Sequence, residues 1–339
     1  MSRWLVPLAA LAALAPAVLG ACRAQALPDA ATTPWSAGAS LPRHAQQPGV
    51  TARGLDVIVA GGYDLTPAGV LEITARVDVY DTANDTWLPA GTIPDALVHW
   101  TDINLAALGD TIYLAGGIEG AQHTANGATY AFDPIQQIWQ KLLTMPMERG
   151  AAGVVATPGR IYLLGGESST GPVATCLAYD LPTGAWVVEP SLPSARSHPA
   201  AMRRSDGSLI VAGGFAGPDA TAPLDEVWRL PPEGAVPREW TRVASMPEPR
   251  GGCAYGVVLG HLVCAGGVGP GGPAATTLVY DPFQTSLQPW TVDPPMPEPR
   301  ALVPGAAVGG RLFVPGGSPA LALAPTSTLY VYTPLDTSP

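Results

Sequence analysis

Val57-Ile58-Val59-Ala60-Gly61-Gly62 decides the fold: four apolar residues stopped by a glycine pair. The pattern returns at 112–117, 161–166, 209–214, 262–267 and 312–317, in steps of about 50 residues. A second signal travels with it. Trp is followed seven residues later by Pro at Trp35/Pro42, Trp87/Pro94, Trp139/Pro146, Trp186/Pro193, Trp240/Pro247 and Trp290/Pro297. Between the two lies an aromatic–Asp pair: Tyr80-Asp81, Phe132-Asp133, Tyr179-Asp180 and Tyr280-Asp281. Trp228-Arg229 reads as its counterpart in the fourth repeat and Tyr332-Thr333 in the last. The first repeat divides into four β-prone runs, near 47–52, 55–60, 74–80 and 86–90, separated by turn residues. One small sheet of this kind cannot bury both faces, so the units must stack. The glycine pair ends the second strand, where a positive φ and a close backbone approach are tolerated. The Trp is the expected wedge between units, since a buried indole hides roughly 150–250 Å².

Composition agrees. The 339-residue chain holds 39 Gly and 38 Pro, and 13% of its residues are charged. So much Gly and Pro excludes a helical bundle. A 47% apolar content excludes disorder throughout. An all-β protein with short strands and many turns remains. The net charge of −10 argues against a nucleic-acid partner, which demands a basic face.

Six co-registered sets of Gly-Gly, aromatic-Asp and Trp-x6-Pro resemble the kelch repeat, and the resemblance spans about 33–333. It implies a six-bladed β-propeller. The two ends complement each other: Trp35 has no Gly-Gly before it, and the sixth Gly-Gly has no Trp after it. The strand around Trp35 is therefore expected to pair as the outer strand of the last blade. Such closure removes long unpaired edges. Residues 334–339 are read as a tail.

The first residues read as an address. Arg3 precedes an apolar run, 4–19, of signal-peptide length. It ends in Leu19-Gly20-Ala21-Cys22, which resembles the bacterial lipobox and implies lipidation of Cys22. On this reading 1–21 is a signal peptide and 22–32 a tether. The alternatives are ordinary cleavage after Ala24-Gln25-Ala26, or an uncleaved anchor. The expected location is the cell envelope, lipid-anchored, at the outer membrane if the cell is Gram-negative. Otherwise the protein is secreted or periplasmic.

In this topology the loops between blades share a face with those joining strands two and three. The former repeat Pro-x-x-Arg, ending at Arg149, Arg196, Arg250 and Arg300. These arginines are expected to ring one channel mouth and bind an anionic glycan or peptide in bidentate fashion. The alternative is pairing with neighbours such as Glu148, Glu248 and Glu298. The first two repeats lack the motif. In the other loops Tyr63, Glu119, Glu167 and Phe215 are candidate pocket-liners. Five scattered histidines, and the absence of H-E-x-x-H, G-x-S-x-G and Cys-x-x-Cys, give no catalytic set. Asp102 and His99 near Trp100 read as a packed polar cluster. Cys253 and Cys264 form a plausible hairpin disulfide, free buried cysteines being the alternative. No cofactor or metal is expected.

The function expected is non-catalytic binding by a monomeric envelope propeller, to an envelope protein or an anionic ligand. Its rival is a carbohydrate-modifying enzyme similar to N-acetylneuraminate epimerase, with Glu119 or Glu167 as acid/base. A structural spacer is the third reading.

Overall fold

A computed structural model describes residues 33–94, 100–119, 123–218, 220–284 and 288–335. The signal segment, Cys22 and the tether lie outside the described residues, as do the last four residues of the tail. All regular structure among the described residues is β. Six antiparallel sheets follow one another along the chain as blades. In the first, Gly49–Arg53, Asp56–Ala60, Arg76–Asp81 and Thr86–Thr92 run from the channel outward.

The Val57 stretch shows why the second strand is apolar throughout. Val57 and Val59 pack with Phe313 and Val331 of the sixth blade, while Ile58 and Ala60 pack with Leu105, Ile112 and Leu114 of the second. Alternate side chains point to opposite faces, and both faces are covered. All four residues are buried.

Closure follows the expected route. Trp35–Gly38 is the outermost strand of the sixth blade, paired with Leu329–Tyr332, with Trp35 opposite Tyr332. The aromatic and the Trp of each repeat are likewise cross-strand partners: Tyr80 with Trp87, Phe132 with Trp139, Tyr179 with Trp186, Tyr280 with Trp290. Their rings sit 4.3–5.3 Å apart, a favourable tilted or stacked geometry. In the fourth blade the register corrects the sequence reading. Arg229 faces Thr241, so Leu230, not Trp228, stands opposite Trp240.

The indoles also staple neighbouring blades. Trp87, Trp186, Trp240, Trp290 and Trp35 donate Nε1–H to the carbonyls of Ala39, Leu143, Pro190, Ala244 and Pro294. Each acceptor lies four residues beyond the preceding blade's Trp. One residue type thus fills the wedge and satisfies a carbonyl where an outer strand ends.

Trp35→Ala should therefore cost about 3–5 kcal/mol of unfolding free energy in urea titration, because it empties the wedge and frees the closing strand. A loss below about 1 kcal/mol, the range of an ordinary surface substitution, would contradict closure by this strand.

Candidate functional site

The blades are linked around the channel by a closed ring of backbone hydrogen bonds. Asp102 N–H donates to Gln47 O, Ala151 to Asp102, His198 to Ala151, Gly252 to His198, Leu302 to Gly252, and Gln47 back to Leu302, all at 2.7–3.0 Å. All six residues have φ between 51° and 61°. For the five that are not glycine this left-handed conformation costs about 1 kcal/mol or more each. It is kept because the ring's geometry requires it, and it leaves the side chains of Gln47, Asp102, His198 and Leu302 lining one channel mouth.

Above the ring lies a basin of about 490 Å³, walled by residues of all six blades. Its polar side carries Gln47, Tyr63, Asp102, His123, Glu167 and His198, from the first four blades. The opposite side is apolar: Val268, Leu302, Leu321 and Leu323, from the last two. The two loop families meet as expected. Gln46 bridges to Tyr63, Gly150 to Glu167, Ser197 to Phe215, Gly251 to Val268 and Ala301 to Ser318.

At the basin floor His198 Nε2 lies 2.9 Å from Asp102 Oδ1. Asp102 Oδ2 accepts from Gln47 Nε2 and Thr101 Oγ1, each at 3.1 Å. The edge-on Phe215 ring, 5.8 Å away, backs the imidazole. Burial alone would lower the His198 imidazolium, but the hydrogen bond and charge of Asp102, with help from Glu167, hold it above its ordinary value. Below the floor a smaller cavity of about 60 Å³ is lined by Asp102, Asn104, His198 and Tyr255. Tyr255 Oη crosses from the fifth blade to accept the Val154 amide of the third at 2.9 Å. Tyr255 lines the cavity at the far end of the channel as well.

A family model for the KLHDC2/KLHL20/DRC7 Kelch-repeats domain matches residues 47–267 and 103–317. The chain belongs to the kelch-repeat family. Among curated relatives, Kelch-like protein terF of Aspergillus terreus is 29% identical over 267 residues, 74% of this chain and 58% of that protein. Kelch repeat and BTB domain-containing protein 1 of Horsepox virus is 24% identical over 237 residues, 70% of this chain and 40% of its own length. The chain thus spans less than two thirds of these relatives. The solved structure of YjhT shares the fold: TM-score 0.71, 16% identity, covering 88% of this chain and 97% of that one.

In this kelch propeller the repeated arginines do not face the mouth, so of the two readings the cationic ring is set aside and pairing with the upstream glutamate is found at Arg250 and Arg300. Arg149, Arg196, Arg250 and Arg300 are at most 2% exposed. Arg149, Arg196 and Arg250 donate Nη1–H to Gly165, Gly213 and Gly266 O, each at 3.0 Å, the first glycine of their own blade's pair. Arg196 also meets Glu226 at 2.8 Å, Arg250 meets Glu248, and Arg300 meets Glu298 at 3.0 Å while lying over the Tyr330 ring. Burial pushes the Arg149 guanidinium down to about 10. Sequence reading missed Arg43, which serves the first blade from a shifted position. It reaches Gly61 O at 2.9 Å and Asp78 at 2.8 Å. Gly213 shows why glycine is required at these turns. Its φ is 63°, and a Cβ there would stand 2.1 Å from Arg250 O.

Of the other candidates, Tyr63 and Glu167 line the basin. Phe215 is fully buried behind His198. Glu119 is held by Asn126 Nδ2, outside the basin wall. His99 lies outside the described residues. Cys253 and Cys264 are disulfide-bonded, and Cys176 is a buried free thiol. Among the described residues no group of three or more His, Cys, Asp or Glu is placed to hold a metal ion. The Asp102–His198 pair was legible only through repeat register. Ring residues stand fourteen positions before the first glycine, fifteen in the fourth blade.

A histidine raised in the folded state stabilises fully below its ordinary pKa of about 6.5, and this stabilisation is lost as pH rises through the folded value. His198→Asn should therefore cost more stability at about pH 5.5 than at about pH 8.5, read from thermal midpoints across that range. An equal loss at both ends would show that Asp102 and His198 are not coupled.

Proposed function

We propose that this kelch propeller is a non-catalytic recognition module whose binding site is the basin at the channel mouth. The observation that carries the reading is the basin itself. It holds about 490 Å³, is polar on one side and apolar on the other, and is built on a closed hydrogen-bonded ring. Ligand sites are commonly concave, largely apolar and pre-formed, with a few placed polar groups. The carbohydrate-modifying alternative is less well supported. Its carboxylate-binding arginines are hydrogen-bonded to glycine carbonyls, and of its two candidate acids only Glu167 stands in the basin.

The test is capture of partners from detergent-solubilised envelope by the immobilised protein. Leu321→Ser with Glu167→Gln should lose the partners that the wild type retains. Val257→Ser, at the opposite end of the channel, should keep them. Identical partners from all three proteins would place recognition elsewhere on the propeller.

We infer envelope anchoring from the sequence, with Cys22 as the lipidated residue. Cys22→Ser should then move the protein from the membrane fraction to the soluble fraction. Unchanged fractionation would remove the lipid anchor from the account.

A further inference from the structure

The basin's electrostatics reverse the ligand class that the arginine pattern suggests. Among the described residues no Lys or Arg lines it, while two carboxylates, Asp102 and Glu167, do. The cations placed near the mouth in sequence are buried and hydrogen-bonded to the blades. Tyr63, 8% exposed, lines the same basin, where burial and the charge of Asp102 push its phenol up from its ordinary value. In the sixth blade, next to that of Tyr63, stand Leu302, Leu321 and Leu323, the last two 61% and 43% exposed. Isolated exposed leucines are unremarkable, but two beside an apolar wall in one cup form a surface that a ligand would cover.

We propose that the basin takes a small amphipathic amine, its ammonium group between Asp102, Glu167 and the Tyr63 hydroxyl and its hydrocarbon body against Leu302, Leu321 and Leu323. This rests on the reading of the basin as the binding site. Beneath the basin the Tyr255 hydroxyl reaches across from the fifth blade to the Val154 amide of the third, which narrows the channel and favours a compact molecule over a threaded chain. Charges in a cleft with low-dielectric walls act more strongly than on open surface, so a cation gains and an anion loses. His198 already responds to this field, because the same two carboxylates favour its protonated form despite burial.

Three probes of equal shape decide the matter: cyclohexylmethylamine, cyclohexylmethanol and cyclohexanecarboxylate. Each is titrated into the ¹⁵N-labelled protein while the amide signals of Gln47, Asp102 and His198 are followed. The amine should shift these signals with an affinity at least about tenfold above that of the carboxylate, a difference of about 1.4 kcal/mol. The alcohol should fall between them. Glu167→Gln should erase most of the preference for the amine over the carboxylate, and Tyr63→Phe is the second variant should Glu167→Gln fail to fold. A carboxylate that binds at these residues as tightly as the amine overturns the ligand class and leaves the basin as the site. If no probe moves these signals, both the class and the basin reading fail.

Discussion

Six backbone hydrogen bonds, one per blade, hold this propeller's mouth together. Each inner strand is entered through a left-handed residue whose N–H goes to its counterpart in the preceding blade. Left-handed backbone at Gln47, Asp102, Ala151, His198 and Leu302 is unfavourable in isolation. The closed ring makes it tolerable because opening one link exposes a donor and an acceptor in a buried place. Everything at the mouth inherits its position from this ring. Asp102 and His198, 96 residues apart in sequence, meet because both occupy ring positions.

The arginines belong to the same construction. In the first, third, fourth and fifth blades the carbonyl of the first glycine accepts from an arginine, whereas in the second blade the glycine pair lies within the continuous strand Thr111–Glu119. A guanidinium, with five donors in a fixed fork, can reach that carbonyl and a carboxylate or hydroxyl at once. Arg250 does so with Gly266, Glu248 and Thr276, and Arg149 with Gly165 and Thr175. The backbone oxygens of Arg196, Arg250 and Arg300 accept from the second glycine of the preceding blade. Each of these residues therefore joins two blades. With the positive charges so employed, the basin is left with two carboxylates and two histidines.

The blade count, the strand around Trp35 and the shared face of the two loop families were legible in the sequence. They follow from apolar runs, turn residues and a repeated Trp, all carried by side-chain type. The direction of the arginines was not legible, because their acceptors are backbone carbonyls that leave no mark on residue identity. Arg43 escaped the motif through a shift within its loop, although it performs the same task. The fourth blade's Leu230 was hidden behind the nearby Trp228, since one aromatic looks like another until the register is fixed. The Asp102–His198 pair needed alignment of the repeats at a position with no shared residue type: Gln, Asp, Ala, His, Gly and Leu.

Native-state hydrogen exchange of the six ring amides tests the central constraint most directly. If the ring holds the blades together, the amides of Gln47, Asp102, Ala151, His198, Gly252 and Leu302 share one opening free energy, equal to that of global unfolding. Exchange of any one of them through a local opening well below that limit would contradict the account, because a ring that opens at one link cannot hold Asp102 and His198 in register.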